Sequence, residues 1–139
     1  MTVERTLILL KPDSLQRAFV GEIISRFERK SLKLVAIKML KMTPALSKEH
    51  YAHIVSKPFY PEIEQFMTST AIIAMVIEGE QAVDVVRLLL GPTDSNKALP
   101  GTIRGDLSNS IAKNMIHASD SKETAEKEVH RFFKKEELF

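Results

Sequence analysis

The chain has 139 residues, enough for one compact domain and too few for two independent cores. With 44% apolar and 27% charged residues it is not a disordered chain, and 20 basic against 18 acidic side chains, with no long basic run, offer little for broad attraction to DNA or anionic lipid. The lack of cysteine removes disulfides, thiolate nucleophiles and iron–sulfur ligation, which leaves His50, His53, His117 and His130 as the side chains poised for chemistry near neutral pH.

Glu4 and Arg5 precede only the short apolar stretch Leu7 to Leu10, so a secretory signal pattern is absent and a cytoplasmic location is expected. Arg5 to Lys11 is a nearly continuous aliphatic run closed by Pro12 and reads as a strand buried on both faces. Val20, Ile23, Ile24 and Phe27 fall on one stripe of a helix, and Leu34 to Leu40 reads as the next strand. Thr43 and Pro44 cap and open a helix reaching about Ile54, which Lys57 to Pro61 interrupts before a short helix. Ala71 to Ile77 is the longest apolar run, far below membrane-spanning length and rich in β-branched residues, so it reads as a second buried strand. Gly79 is read as opening a helix with Ala82, Val85, Val86, Leu89 and Leu90 inward, ended by Gly91 and Pro92. Pro92 to Gly105 reads as a long loop of the functional kind, Met115 to His117 as a short edge strand, and Ser121 as the cap of a last helix with Ala125, Val129, Phe132 and Phe133 inward. This order predicts an α+β fold of ferredoxin-like, split βαβ type: a single domain, residues 1–139, with an antiparallel four-stranded sheet and helices on one face.

Lys11 ends a buried strand, Arg87 lies in a helix and Arg104 between two glycines of the long loop. Three cations in unlike elements suit a polyphosphate if they converge, and are salt-bridged surface groups if they do not. His117 emerges where a strand meets a helix start, as a nucleophile, base or ligand, or as a half-buried ring satisfied by a carbonyl. Glu128 borders the apolar stripe of the last helix; folded back, it could bond one nitrogen of His117 and leave the other aimed at a reactant. His50 and His53, one turn apart, lack a third metal ligand nearby and read as wet-face residues, as does His130. Tyr51 and Phe59 flank the break at Lys57 and Pro58, where they either pinch a planar ring or pack in the core. Any nucleotide must be held by side chains, because no glycine-rich phosphate loop is present.

From about Val3 to Leu138 the chain resembles the nucleoside diphosphate kinases. The resemblance rests on Asn114-Met115-Ile116-His117-Ala118-Ser119-Asp120-Ser121, which is similar to that family's active-site signature. It rests also on Lys11-Pro12-Asp13, Val20-Gly21-Glu22-Ile23-Ile24, Arg26-Phe27-Glu28, His50-Tyr51, Pro58-Phe59, Gly91-Pro92-Thr93, Pro100-Gly101-Thr102-Ile103-Arg104-Gly105-Asp106 and Ala125-Glu126-Lys127-Glu128.

The resemblance implies γ-phosphoryl exchange between nucleoside tri- and diphosphates by a ping-pong route through a phosphohistidine at His117. It implies that Glu128 and Ser119 orient the imidazole beside Tyr51, that Lys11, Arg87, Arg104 and Thr93 hold phosphates, and that Asn114 and Lys11 contact the sugar. Phe59 would stack the base and Ile63 and Ile111 would line its site, an arrangement that accepts many bases because stacking reads no base edge. Mg²⁺ would ride on the nucleotide phosphates rather than in a protein cage. By the same resemblance the partners are ATP and other nucleoside di- and triphosphates and further copies of the chain, as a tetramer or hexamer; the short C-terminus leans toward the bacterial type. Ser14 and Ser31 stand where the family often has glycine, Thr70-Ala71 where it has Gly-Pro, and Ala118 where glycine usually follows the nucleophile; Ala118 fits unless its φ is positive. Two competing readings are a nucleotide-binding module that has lost catalysis and a nucleic-acid-binding ferredoxin-like domain, the second disfavoured by strands that carry aliphatics rather than aromatics.

Overall fold

Leu7 to Leu10, all at zero exposure, lie in a central strand of a four-stranded antiparallel sheet in the computed structural model, which describes residues 2–139. In chain order the elements are β1 (Val3–Leu10), α1 (Pro12–Gln16), α2 (Val20–Arg29), β2 (Lys33–Leu40), α3 (Pro44–His50), α4 (Tyr60–Met67), β3 (Ile72–Glu80), α5 (Ala82–Leu90), α6 (Ile103–Leu107), β4 (Ile116–Ala118) and α7 (Lys122–Phe132). The strand order is β2-β3-β1-β4, as the ferredoxin-like reading expects.

The side chains of β1 alternate between two cores. Ile8 and Leu10 join Ile23 and Phe27 of α2 and Val86 and Leu90 of α5, whereas Leu7 and Leu9 join Val129 and Phe132 of α7. Helices therefore cover both faces of the sheet, not one. The unbroken aliphatic runs of β1 and β3 have this cause, since a strand packed on both sides has no polar face to alternate with.

Other boundaries differ from the sequence reading for local reasons. Pro12 does not merely end β1; it is the first residue of α1, where its missing N–H costs nothing. The helix that Thr43 caps, by accepting from the Leu46 amide at 3.1 Å, stops at His50, and tight turns from Tyr51 to Ile54 and Ile54 to Lys57 replace its predicted continuation. Gly79 lies inside β3, not at a helix start. Because β1 begins at Val3 and Val3 pairs with Glu80, the ladder runs past Gly79, and the chain turns instead at Gln81, whose φ is 52°. A Cβ on Gly79 would meet Leu32 Cδ2 at 2.6 Å, so close approach explains that glycine. The long loop after α5 is partly ordered: Ser95–Lys97 form a 3₁₀ turn and α6 starts at Ile103.

Ser31, one of the positions where the family often carries glycine, has φ 64°, just past the end of α2, with its amide donating to the Glu28 carbonyl at 2.9 Å. A left-handed residue with a Cβ is strained, and glycine is the usual occupant of such a helix end. Ser31→Gly should therefore raise stability by about 0.5–1 kcal/mol, seen as a thermal midpoint about 2–4 °C higher. A lowered midpoint would show that the strain has no energetic weight. Ala118 does not share this problem, since it continues β4 and is not among the residues with positive φ.

Candidate functional site

The site begins where β1 ends. β4 pairs with β1 so that Leu9 lies opposite His117, which puts the imidazole on the sheet face that α7 covers. Glu128, on the second turn of α7, meets it there: its Oε1 lies 2.9 Å from His117 Nε2 and accepts the Ser119 hydroxyl at 2.7 Å. Ser119 is itself fixed, because its hydroxyl oxygen accepts the Leu7 amide at 3.2 Å. Burial by itself would push the Glu128 carboxyl up, but the hydrogen bond and charge of His117, then the Ser119 bond, outweigh it and hold the group down at about 2. An ionised carboxylate only accepts, so His117 Nε2 carries a proton and, in the neutral ring, Nδ1 keeps its lone pair. The His117 side chain is 22% exposed, which leaves it open to a reactant.

Three cations converge on the strand that carries this histidine. Lys11 Nζ donates to Asn114 Oδ1 at 2.7 Å. Arg104, on α6 rather than in a loop and only 6% exposed, donates to the carbonyls of Gly91 at 2.9 Å, Ile116 at 2.6 Å and Asn114 at 3.3 Å. Arg87 Nη1 donates to the Ala118 carbonyl at 3.3 Å. Their charges press on one another: burial first and then Arg104 bring Lys11 down to about 8, and burial first and then Arg87 bring Arg104 down to about 10. Such a cluster favours an anion. Asn114 also ties in Thr93, whose carbonyl accepts from its Nδ2 at 3.1 Å. Gly105 permits α6 to sit here, because a Cβ on it would run into the Leu99 carbonyl.

Phe59, Ile63 and Phe66 follow one stripe of α4 from its cap, and Lys113 Nζ lies 5.8 Å from the Phe66 ring centroid, which brings the loop before β4 toward that helix. Phe59 and Ile111 are 52% and 60% exposed, so neither is a core residue, and Ile63 packs partly into the α7-side core. Tyr51 stands edge-on to His50 with centroids 4.8 Å apart, and burial first, then Glu128, pushes its hydroxyl pKa up.

Two parts of the site escaped the sequence reading. One is a latch on Met115, a buried residue with φ 76°: its amide donates to Asp13 Oδ2 at 3.0 Å, and its carbonyl accepts from the Lys11 amide at 2.9 Å and from the Ser14 hydroxyl. The Lys11-Pro12-Asp13 segment thus fixes a strained residue two places before His117. The other is His50, which is not a wet-face residue. It is 4% exposed, its ring lies 4.8 Å from that of His117, and its Nδ1 faces Arg131 Nη1 at 3.1 Å. The spacing of Ser47 and His50, both buried on α3, was the available signal. His53 and His130 are exposed, as read.

Among the described residues, His50, His117 and Glu128 form a group whose ligand atoms lie within 4.8 Å of one another, a set chemically suited to zinc. The Arg131 guanidinium against His50 Nδ1 opposes a divalent cation there. Asp13, the acidic group near Lys11, gives its Oδ2 to the Met115 amide and keeps a buried Oδ1 without a partner, but among the described residues it belongs to no cluster of three metal-ligating side chains. No helix among the described residues is long and apolar enough to cross a membrane.

The site should make the fold acid-labile in two stages. Burial first, and then the charge of His117, lower His50 to about 3, so between the ordinary histidine value of 6.5 and pH 3 the unfolded state binds the extra proton and stability falls as pH falls. Glu128 adds a second loss as pH drops through the window from 4.5 to about 2. The urea midpoint should therefore decline steadily below pH 6.5, and His50→Phe should flatten the upper part of that decline; a midpoint constant from pH 7 to 5 would contradict it.

The family model for nucleoside diphosphate kinase matches residues 4–138. A nucleoside diphosphate kinase of Staphylothermus marinus is 52% identical over 138 residues, covering 99% of this chain and 98% of that protein. One of Rhodopirellula baltica is 50% identical over 136 residues, covering 98% of this chain and 90% of the other. Among solved structures, a halophilic nucleoside diphosphate kinase from Halobacterium salinarum in complex with CDP superposes with a TM-score of 0.96 at 43% identity, covering 99% of this chain and 92% of that one. The Aquifex aeolicus enzyme superposes with a TM-score of 0.95 at 40% identity, covering 99% and 100%.

Proposed function

Because the chain belongs to the nucleoside diphosphate kinase family, we propose that it exchanges the γ-phosphoryl group between nucleoside tri- and diphosphates by a ping-pong route, with His117 as the nucleophile. The observation that carries the reading is an imidazole whose Nε2 proton is committed to Glu128, on a strand whose neighbouring backbone carbonyls, at Ile116 and Ala118, hold the guanidinium groups of Arg104 and Arg87.

In the first half-reaction His117 Nδ1 attacks the γ-phosphorus in line. The N–P bond forms as the bond to the β,γ-bridging oxygen breaks, and the nucleoside diphosphate leaves with that electron pair. Glu128 stabilises the positive charge that develops on the ring, and Ser119 keeps the carboxylate in place. Lys11, Arg87, Arg104 and Thr93 hold the phosphates and neutralise their charge, which is most of what phosphoryl transfer asks of a protein. Tyr51 completes the wall beside the two histidines. In the second half-reaction a terminal phosphate oxygen of another nucleoside diphosphate attacks the phosphohistidine and the N–P bond breaks.

Asn114 and Lys11, already bonded to each other, supply donors and an acceptor for the sugar hydroxyls. Phe59 stacks the base between α4 and the loop carrying Ile111, with Ile63 at its edge, so discrimination among bases is weak. The phosphate-binding side chains are cationic and would leave Mg²⁺ to be held by the nucleotide phosphates themselves, whose charge it would lower when bound. The sheet edge at β2, with Ile37 and Met39 at 46% and 65% exposure, supports assembly into a tetramer or hexamer, and the match over residues 4–138 supports a single domain.

The test is transfer of label from γ-labelled ATP to GDP, CDP, UDP and dTDP. Label should reach every acceptor, and double-reciprocal plots should be parallel. Intersecting plots would replace the phosphohistidine route with direct transfer, and ATP binding without exchange would leave a nucleotide-binding module.

A further inference from the structure

We propose that Arg131 is a positioning residue which, through His50, determines that His117 and not its neighbour is served by Glu128. The inference deepens the proposed function and rests on His117 being the nucleophile.

Two imidazoles flank one carboxylate. Glu128 Oε1 lies 2.9 Å from His117 Nε2 and Oε2 lies 3.8 Å from His50 Nδ1, while the two rings meet edge to face at 4.8 Å. A carboxylate between two such rings has no intrinsic preference: a proton on His50 Nδ1 would turn that atom into a donor aimed at Oε2. Arg131 breaks the symmetry. It follows Glu128 by three residues on α7, so both project from one side of the helix, and its Nη1 lies 3.1 Å from His50 Nδ1. A guanidinium has donors and no acceptor, so Nδ1 must accept, the ring proton sits on Nε2, and His50 stays neutral. Glu49 steadies the guanidinium from the other side, with its Oε1 3.8 Å from Arg131 Nε.

The groups around His50 agree with this assignment. From α7 it faces Glu128 and Arg131, from β4 His117, and from its own segment Tyr51 and His53. Of these Glu128 favours a charged His50, while His117, Arg131 and His53 oppose it along with burial. Removing Arg131 therefore takes away both the donor that occupies Nδ1 and a charge that repels a proton. His50 Nδ1 would then be free to carry the ring proton, donate it to Oε2 and draw the carboxylate toward itself, weakening the hold of Glu128 on His117.

The experiment combines ¹⁵N-histidine NMR with the pH profile of phosphoenzyme formation from ATP. In the native chain His50 should show an unprotonated, hydrogen-bonded Nδ1 whose shift stays constant from pH 5 to 8. In Arg131→Leu the proton of the same ring should move to Nδ1, and kcat/KM should fall about tenfold across the profile. Arg131→Lys, whose ammonium also only donates, should restore both readings. A native His50 protonated on Nδ1, or an Arg131→Leu chain with the native tautomer and an unchanged kcat/KM, would overturn the proposal. If the leucine variant does not fold, the native tautomer and the lysine variant still decide it. Failure of nucleotide exchange by the native chain counts against the proposed function, whereas the tautomer is read without turnover.

Discussion

Replacing His117 with alanine should abolish phosphoenzyme formation and lower nucleotide exchange by at least about 10⁴-fold. The size follows from the site's division of labour. The cations, Asn114 and Glu128 bind and orient, and the two that could bond phosphorus are committed elsewhere, Glu128 to Ser119 and Lys11 to Asn114, so their retention leaves a good binding site with nothing to attack. The native chain incubated with labelled ATP should carry acid-labile, base-stable label, as a phosphoramidate does, and the variant should carry none. His53→Ala and His130→Ala, both at exposed positions, should keep it. His50 is also dispensable as an acceptor in this scheme, since its Nδ1 faces Arg131 rather than the phosphate site. Glu128 keeps the Ser119 hydroxyl in the alanine variant, so the fold should survive with a loss of about 1–3 kcal/mol. Equal label on native and variant chains would remove His117 from the mechanism.

Arg104→Met should be the most damaging substitution for the fold as well as for activity. Its guanidinium joins three carbonyls that belong to three places: Gly91 at the end of α5, Asn114 before β4, and Ile116 within it. Methionine of similar length fills the space and leaves those acceptors buried and unpaired. Losing charge-assisted bonds of this kind costs about 3–5 kcal/mol in total, a large part of the stability of a domain this size. Exchange should fall with it, because the proposed phosphate site loses one of its positive charges. A urea titration of the variant reads the first effect and exchange below its unfolding midpoint reads the second. Arg104→Lys separates the two: it keeps the charge but cannot reach three acceptors at once. A methionine variant as stable as the native chain would mean that water replaces the guanidinium without cost.

Much of this was legible beforehand, and the unevenness has physical causes. β1 and β3 stood out because strands covered on both faces are apolar throughout; the same runs carried the evidence for two covered faces, which the one-faced reading overlooked. His117, Glu128, Lys11, Arg87 and Arg104 could be singled out because each is a charged or titratable residue in an apolar or turn-rich setting. The Met115 latch left no such trace. No glycine marks its left-handed backbone, and its partners lie about a hundred residues away, at Lys11, Asp13 and Ser14. His50 was misread for a related reason. A histidine on a seven-residue helix looks solvated until α7, 81 positions later, brings Arg131 against it.

The pairing of Lys11 with Asn114 and of His117 with Glu128 also governs when the chain acquires activity. Lys11 is made early and its partner 103 residues later, while Glu128 belongs to the last helix. His117, Ser119 and Glu128 are close in sequence, but no local segment holds them together with Lys11. On the proposed mechanism, the chain should therefore be catalytically silent during synthesis until α7 has emerged and docked.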